Sequence, residues 1–360
     1  MLGTRGVPPR YGGFETAVDE IGRRLVASGH EVVVYCRNNG DRPREHHGMR
    51  LVHLPAVRHR ALETLSHTAV STGHAMASSR PDVAVVFNAA NAPFLPVLRA
   101  AGIPAAVHLD GLEWKRAKWA GAGARYYRAA ERWSVRWASA VIADARGIAD
   151  HVRTTYGRET VFIPYGAPIV SADADRLAEL GLEPGGFHLV VARFEPENHL
   201  RELVEGRLGS RAELPLVVVG GAPYAAAYET EVRGLAVGDP RVRFTGPIYD
   251  AELLDQLYAG AASYLHGHSV GGTNPSLLRA MGAGAPVTAW DVVFNREVTD
   301  GLACFVSDPD GVAAALLADE QDPAGAKERA ESLREHARVT YRWDDVAEAY
   351  EQLCQRLARR

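Results

Sequence analysis

The chain has 360 residues, of which 47% are apolar and 23% are charged, so it encodes a globular protein with room for two domains. Its net charge of −4 gives no general attraction to nucleic acid. Cys36, Cys304 and Cys354 are too widely spaced for a disulfide framework or a zinc cluster, and no apolar run approaches the ~20 residues of a membrane span. We therefore expect a cytoplasmic protein.

The first part of the chain alternates helices with short apolar strands. After a glycine-rich loop over residues 3–13, apolar residues four, three and four positions apart predict one face of a helix that ends at Gly29. Only Met1 and Leu2 precede that loop, so we expect either a very short first strand or a chain that begins too late to include it. Further strands are expected at residues 32–35, 83–87, 105–108 and 140–143. This alternation predicts a parallel, doubly wound sheet.

A second series of strands follows residues 164–186, whose proline, glycine and aspartate content is typical of a linker. Its strands are expected at residues 188–192, 216–219, 242–244, 263–265 and 286–288. The sequence therefore predicts two Rossmann-like domains, 1–163 and 164–342, with a ligand in the cleft between them at the carboxyl ends of the strands. A last helix, 343–360, carries an apolar face made of Val346, Tyr350, Leu353 and Leu357.

The most informative segment, residues 266–287, has the pattern of a strand end, a glycine loop and the start of a helix. Asn274 is a good N-cap and Pro275 suits the first helical position. The backbone of Gly271, Gly272 and Thr273 can then approach a ligand closely, with helix N–H groups directed at it. Such a terminus favours an anion, most often a phosphate.

A nicotinamide-dependent enzyme is the first alternative for two Rossmann-like domains. The glycines at positions 3, 6, 12 and 13 do not form the GxGxxG fingerprint, and the second strand ends at Arg37 instead of an acidic ribose ligand. An arginine there can accept a 2′-phosphate, so NADP is disfavoured but stays open.

Several segments together resemble glycosyltransferase family 4, and most closely its rhamnosyltransferase-like branch. They are Gly3 to Gly6 with Arg10 to Thr16, His108 to Trp114, Ile163 to Gly166, Arg193 to Asn198, and His266 to Val287. They occur in the family's order over nearly the whole chain. The resemblance implies the α/β GT-B fold, a nucleotide-sugar donor held mainly by the C-terminal domain, transfer with retention at the anomeric carbon, and a last helix that crosses back onto the N-terminal domain.

Arg193 follows a strand, where its guanidinium can clamp a diphosphate and stabilise charge on the leaving phosphate. The alternative is a surface pair with Glu195 or Glu197. Most of the family has a lysine five residues later, but here that position is Asn198. Arg5, in the first glycine loop, is a candidate for the missing positive charge.

His108 ends a strand, and by resemblance it hydrogen-bonds the donor sugar. The alternative is a half-buried histidine satisfied by Asp110, two residues further on. Gly12 and Gly13 precede a helix N-terminus, so their amides are predicted to face the diphosphate or the acceptor.

By resemblance, two glutamates eight positions apart flank the donor helix, but this chain has Gly271 and Arg279 there. Gly271 is normal for the branch. Arg279 cannot accept the ribose hydrogen bonds that the second acid accepts, so it turns outward, contacts phosphate, or impairs the enzyme. We expect the segment 244–249, with Gly246 and Tyr249, to border the base.

Arginines spaced three, four and four apart form a basic stripe on one helix: Arg125, Arg128, Arg132 and Arg136. An adjacent apolar stripe consists of Tyr126, Ala130, Trp133 and Trp137. Such a helix can bind an anionic membrane at its inner face and deliver a lipid-linked acceptor. The alternative is an ordinary packed helix with exposed arginines.

Metal-binding signals are poor. Asp308-Pro-Asp310 and Asp173-Ala-Asp175 resemble the metal-binding DxD of other glycosyltransferases, but both are more typical of caps and turns. His266 and His268 would need further ligands to hold a metal. We therefore expect no cofactor, and activity that survives chelation.

The sequence as a whole favours a retaining, metal-independent glycosyltransferase. It would move a sugar, a deoxyhexose such as rhamnose, from a nucleotide donor to a glycan or a lipid-linked glycan. Two alternatives stay open at this point: a catalytically impaired nucleotide-binding partner subunit, favoured by Asn198 and Arg279, and a sugar-nucleotide epimerase, which would form product from the donor alone.

Overall fold

The chain folds into two compact units, one formed by Met1–Tyr165 with Trp343–Arg360 and the other by Gly166–Arg342. The structure is a computed structural model. It describes residues 1–9, 13–38, 42–59, 62–109, 111–116, 119, 121–171, 173–221 and 226–359.

Short apolar runs form the strands of the first unit. They are β1 (Val33–Arg37), β2 (Glu45–His46), β3 (Met49–Leu54), β4 (Ala84–Phe87), β5 (Ala105–Leu109), β6 (Ala140–Ala143) and β7 (Val161–Phe162). The strand orders are β1-β3-β2 and β4-β5-β6-β7. Pairing is parallel except between β2 and β3, which form an antiparallel hairpin.

Met1 and Leu2 connect these two sheets. Leu2 forms a single parallel bridge with Val86 and donates its N–H to the Val85 carbonyl at 2.9 Å. On the other side, Tyr35 donates its N–H to the Met1 carbonyl at 3.1 Å. The two residues thus take the place of a central strand, reduced to one bridge. The strand order reverses here, so the loop after Leu2 begins at a topological switch point of the first unit.

Helices cover the strands of the first unit. They are α1 (Gly13–Ala27), α2 (Glu63–His74), which continues as a π-helical segment Ala75–Ser79, α3 (Leu95–Ala100), α4 (Ala122–Trp137), α5 (Arg146–Tyr156) and α13 (Trp343–Ala358). The predicted apolar face of α13, with Tyr350 and Leu353, is buried, and this helix packs against α1.

The second unit has one parallel six-stranded sheet in the order β10-β9-β8-β11-β12-β13. Its strands are β8 (His188–Val191), β9 (Leu216–Val219), β10 (Val242–Gly246), β11 (Ser263–His266), β12 (Val287–Trp290) and β13 (Cys304–Val306). Its helices are α6 (Leu200–Gly209), α7 (Ala226–Leu235), α8 (Ala251–Gly260), α9 (Pro275–Ala283), α10 (Val293–Val298), α11 (Pro309–Gln321) and α12 (Pro323–Thr340). The strand order reverses between β8 and β11, so this is the unit's switch point.

The segment 164–186, expected to be a linker, is instead packed, and from Gly166 onwards it belongs to the second unit. It contains a short 3₁₀ helix, Asp175–Leu180, and Leu177 is fully buried. A Cβ at Gly260 would lie 2.7 Å from a Leu177 methyl group, so the end of α8 holds this leucine closely. Burial of Leu177 and Val170 explains why the expectation from composition was wrong.

Candidate active site

The loops that follow β8 and β11 emerge side by side, because these strands are hydrogen-bonded neighbours. The first loop contains Arg193 and Asn198, and the second leads through Gly267 to the N-terminus of α9. In an open parallel sheet, ligands bind at such a point, outside the carboxyl ends of the strands.

The N-terminus of α9 has the predicted cap. The Asn274 side chain accepts a hydrogen bond from the Ser276 N–H at 2.9 Å, and Pro275 occupies the first turn. Gly271, Gly272 and Thr273 are buried ahead of the cap. The positive end of this helix therefore lies against a shielded loop, where an anion is stabilised more than in open water.

Hydrogen bonds join the two loops of the switch point. His268 Nδ1 lies 2.7 Å from Asn198 Oδ1, and Asn198 Nδ2 donates to the Arg193 carbonyl at 2.8 Å. The Ser269 N–H donates to the Glu197 carbonyl at 3.0 Å. Asn198, which stands where the family has a lysine, is thus hydrogen-bonded to both Arg193 and His268. Its position in the sequence does not reveal this role.

Two glycines allow this close approach. A Cβ at Gly267 would overlap the Asn198 carbonyl oxygen, and a Cβ at Gly271 would lie 2.8 Å from His268 Nε2. The edge of the His268 imidazole therefore faces the loop in front of α9. In the sequence His268 is recognisable only as a candidate metal ligand, because its position in front of α9 depends on the fold.

Arg193 forms an ion pair with Glu195, with 3.2 Å between Nη2 and Oε2. Its side chain is 32% exposed, so the pair lies at the surface of the switch point. The surface pair is thus present, and phosphate binding by Arg193 stays a prediction. An incoming phosphate would have to share or displace Glu195.

Arg279 points away from the cap and towards α8. Its Nε donates to Asp255 Oδ1 at 2.6 Å and its Nη2 to the Ala251 carbonyl at 3.1 Å. Of the three sequence alternatives, the described contacts thus correspond to a side chain that turns outward.

Gly246 and Tyr249 lie at and just after the end of an edge strand of the second unit. Gly246 ends β10, an edge strand separated from β8 by β9 and therefore about 10 Å from it. Tyr249 is 67% exposed. A nucleotide would have to extend along the carboxyl ends of four strands, from β10 to β11, to contact both these residues and α9.

His108, at the end of β5, is fully buried, and not half-buried as the alternative interpretation has it. The rings of Phe14, Phe87 and Tyr165 surround it at centroid distances of 5.4–5.6 Å. This burial lowers the pKa of His108 to about 3, so the imidazole is neutral at physiological pH.

The partner of His108 is Tyr350 on α13, whose hydroxyl is 2.9 Å from His108 Nδ1. His108 Nε2 is buried and, within the part of the chain that the structure describes, has no hydrogen-bond partner. Burial, and next the nearby Asp144 carboxylate, raise the pKa of Tyr350 well above its usual value. Asp144 is itself fully buried at the end of β6. The sequence analysis missed the roles of Tyr350 and Asp144, because each is distant from His108 along the chain.

The first glycine loop contributes Arg5, which is exposed and whose N–H donates to Glu15 Oε1 at 2.9 Å. Arg37 lies close enough for the positive charge of Arg5 to contribute to its lowered pKa, although burial is the larger cause. Gly13 begins α1. Gly12 and Asp110, which the sequence analysis also selected, lie outside the described residues.

Comparison with known proteins decides the family. Residues 12–166 match the family of glycosyl transferase 4-like domains, and residues 188–322 match the glycosyl transferases group 1. The chain belongs to glycosyltransferase family 4. The predicted branch within that family stays a prediction.

Relatives of known structure show that this glycosyltransferase has the GT-B fold. Sucrose-phosphate synthase from Thermosynechococcus elongatus is 22% identical, with a TM-score of 0.82 over 96% of this chain and 94% of that one. WaaG, a glycosyltransferase involved in lipopolysaccharide biosynthesis, is 17% identical, with a TM-score of 0.72 over 98% of both chains. Anabaena HepE, solved with UDP and glucose, is 17% identical, with a TM-score of 0.79 over 99% of this chain and 98% of that one.

Among curated proteins, glycogen synthase of Mycobacterium tuberculosis H37Rv is 25% identical to the glycosyltransferase over 389 aligned positions. The alignment covers 96% of this chain and 91% of that protein. The similarity therefore extends over both units.

Helix α4 of the glycosyltransferase exposes the predicted basic stripe, Arg125, Arg128, Arg132 and Arg136. Beside it, Trp133 and Trp137 are half-buried and stacked, with ring centroids 5.5 Å apart. The opposite face is buried and consists of Tyr127, Ala130, Glu131, Ser134 and Val135. No helix within the described residues is long and apolar enough to cross a membrane.

One aspartate of each DxD-like segment has a structural contact, and that of Asp308 is the predicted cap. Asp308 caps α11 by accepting the Gly311 N–H at 2.7 Å. Asp175 Oδ1 accepts a hydrogen bond from Gln256 Nε2 at 2.8 Å. His266 is buried beside Tyr264, with 3.2 Å between its Nδ1 and the hydroxyl, so it belongs to the core below the loop.

Proposed function

We propose that this enzyme transfers a sugar from a nucleoside-diphosphate donor to a glycan or lipid-linked acceptor, with retention and without a metal at the reacting groups. The carrying observation is the switch point of the second unit, where Arg193, the hydrogen-bonded Asn198 and His268, and the capped terminus of α9 come together. The UDP and glucose bound by HepE support a donor of this class. The resemblance to the rhamnosyltransferase-like branch favours a deoxyhexose such as rhamnose as the sugar.

In this proposal, the diphosphate binds to Arg193, to the amides of Gly271 to Asn274 and to His268. Because Asn198 Nδ2 donates to the Arg193 carbonyl, its Oδ1 must accept the Nδ1 proton of His268. The Nε2 edge of His268, which faces Gly271, then lies where a phosphate oxygen would bind in front of α9. Because Nδ1 holds the proton of the neutral ring, His268 donates to that oxygen, and compensates for the missing lysine together with Arg5, only as an imidazolium that carries a second proton on Nε2.

His108 is proposed to bind the donor sugar as a neutral donor. A buried phenol that stays protonated donates its proton to His108 Nδ1, which places the remaining ring proton on Nε2. That N–H can donate to a sugar hydroxyl. The bond between the anomeric carbon and the phosphate oxygen breaks, the acceptor oxygen bonds to the same face, and the leaving phosphate takes the acceptor proton.

The donor assignment is tested by a thermal-shift panel of dTDP-, UDP- and GDP-sugars. We expect at least one nucleotide sugar to raise Tm in proportion to the logarithm of its concentration, because it binds only the folded state. The shift should be strongly reduced in Arg193→Ala and kept in Arg201→Ala, an exposed arginine on α6 that pairs with Glu205 at 2.9 Å. The absence of a shift with every nucleotide would contradict the proposal.

The second candidate function, an impaired partner subunit, is favoured by the Arg279–Asp255 pair, since it puts a cation where the family has a ribose acceptor. The single change Arg279→Glu would place two carboxylates together, so we expect it to lower Tm. The double variant Arg279→Glu with Asp255→Arg exchanges the two charges, so it keeps an ion pair and restores the acid on α9. Donor affinity is measured by calorimetry, and activity by initial rates of transfer.

We expect the charge-exchanged double variant to have a donor affinity and a transfer rate within about threefold of wild type. A gain of about 10- to 100-fold in both quantities is the size expected when a buried pair of ribose hydroxyls regains its acceptor, and it would instead support the impaired subunit. The reverse pair Asp239→Arg with Arg241→Asp, an ion pair of 2.7 Å before β10, controls for charge exchange as such.

We also propose that α4 binds anionic membrane. Its four exposed arginines lie on one face, beside two half-buried tryptophans. Each basic residue near an anionic membrane surface contributes about 1 kcal/mol of attraction. In vesicle flotation, the wild type should bind vesicles with anionic lipid and not neutral ones. Arg132→Glu with Arg136→Glu should reduce binding at least tenfold, whereas Arg201→Glu with Arg338→Glu, of equal charge change, should not. Binding that ignores lipid charge would refute the proposal.

A further inference from the structure

A cluster of two imidazoles and a carboxylate lies on the first unit, apart from His108 and from the loops of the switch points. It consists of Asp19 on α1 and of His46 and His47 at the turn of the β2–β3 hairpin. We propose that these three residues bind a divalent transition metal of the zinc type. The inference concerns the stability of the first unit and does not depend on the proposed reaction.

One face of α1 lies directly against the hairpin. Asp19, Gly22 and Val26 are spaced by three and four residues, so they lie on the same side of the helix. A Cβ at Gly22 would overlap the sulfur of Met49, and a Cβ at Gly48 would lie 2.6 Å from Val26 Cγ1. This close packing fixes Asp19 beside the hairpin turn.

The turn itself brings the two imidazoles together. His47 and Gly48 have φ values of 49° and 76°, the two positive values of a type I′ hairpin turn. Asn-Gly is the usual pair in such a turn, and a histidine at its first position is uncommon. As a result, the rings of His46 and His47 lie with their centroids only 4.1 Å apart.

The candidate ligand atoms converge. One ligand atom from each of the three residues lies within 4.8 Å of the other two. Asp19 Oδ1 and His46 Nε2 are 2.9 Å apart, on side chains that are 15% and 22% exposed. Both atoms are themselves shielded from solvent, and neither forms a hydrogen bond of acceptable geometry within the described part of the chain.

A metal cation would satisfy both shielded atoms at once, with water at the open positions. Two imidazoles and one carboxylate are a ligand set that zinc, cobalt and nickel accept, whereas magnesium and calcium prefer oxygen ligands alone. The competing explanation is an ordinary ion pair between a protonated His46 and Asp19, in which His47 would have no role.

The test is calorimetric titration of the metal-free protein, without donor or acceptor, with zinc chloride, and visible absorption after titration with cobalt. We expect one ion per chain and cobalt bands typical of a low-coordinate site. His47→Asn removes one ligand but keeps a residue suited to the turn, so the variant should fold normally. Its zinc affinity should be about 10- to 100-fold weaker than that of the wild type. Asp19→Asn should have a similar effect.

His30→Asn is the matched control, because His30 Nε2 pairs with Glu351 at 2.8 Å without a second imidazole nearby in the described contacts. This variant should bind zinc as the wild type does. Zinc should also raise Tm of the wild type and of His30→Asn, but not of His47→Asn. No saturable binding, or binding that His47→Asn leaves unchanged, would overturn the site and support the ion pair.

Chelation separates this proposal from the proposed function. EDTA should lower Tm to the value of His47→Asn while transfer at lower temperature continues, because the metal is held outside the reacting groups. If transfer failed while zinc binding persisted, only the proposed function would be wrong.

Discussion

Replacement of Arg193 by alanine is expected to lower kcat/KM of sugar transfer by about 10²–10³-fold, the loss that follows removal of one fixed group from developing charge in a transition state. Arg193 has a well-defined position, since its carbonyl accepts the Asn198 amide and its guanidinium pairs with Glu195. Lysine at this position keeps the charge but not the planar fork, so it should restore only part of the activity. Steady-state kinetics at saturating acceptor are the measurement.

Glu195 allows the phosphate role to be separated from the surface pair. In Glu195→Gln the guanidinium no longer has a competing carboxylate, so donor Kd should fall by about two- to fivefold, the size of a partly exposed ion pair. In the Arg193→Ala background the same change should have no effect on Kd, and this double-mutant cycle measures the coupling. If Arg193 serves only the surface pair, both variants will change Tm and leave donor affinity as it is.

The sequence predicted most strands within a few residues, because short apolar runs and glycine breaks are local signals. The cap at Asn274 could also be predicted, since an N-cap needs only its own side chain and an amide two residues later. Burial, in contrast, depends on the whole domain. Composition alone therefore gave a linker where Leu177 is in fact fully enclosed.

The parts of the site that the sequence did not reveal are contacts between distant residues. Asn198 and His268 are 70 positions apart, Arg279 and Asp255 are 24 apart, and Tyr350 and His108 are 242 apart. Each pair depends on which strands or helices become neighbours. Substitutions that look like losses of function in one motif, such as Asn198 and Arg279, thus have partners that only the fold brings to them.

The metal cluster illustrates the same limit. His46 and His47 are adjacent in the sequence, yet an isolated His-His pair is not a metal signature. Only the packing of α1 on the hairpin adds Asp19 to the pair. A candidate metal site therefore arises where the sequence analysis, which examined DxD segments and His266 with His268, did not look.

His108→Gln is the second change with a large expected effect. Glutamine nearly fills the aromatic enclosure but cannot reproduce both the bond to Tyr350 and the direction of Nε2, so kcat should fall by about 10- to 100-fold, with a smaller change in donor KM. Tyr350→Phe keeps the imidazole and removes only the group that sets its tautomer. In Tyr350→Phe, kcat should fall by only about three- to tenfold, the contribution of one neutral hydrogen bond.

Transfer rates at pH 7–8, measured beside the pH dependence of folding, distinguish a His108 that contacts the sugar from a merely structural one. Burial lowers the pKa of His108 from 6.5 to about 3. Between these two pH values the unfolded state binds a proton that the folded state does not bind. The free energy of unfolding that the neutral ring contributes is therefore lost as the pH falls from about 6.5 towards 3. His108→Gln should flatten this part of the stability profile whether or not the histidine contacts the sugar. Loss of kcat at pH 7–8, where the wild-type ring is already neutral, would come from the misplaced N–H donor and not from a change of charge. A variant with the flattened profile and full kcat at pH 7–8 would assign His108 to packing, and the sugar would then have to be held by other groups at the end of β5.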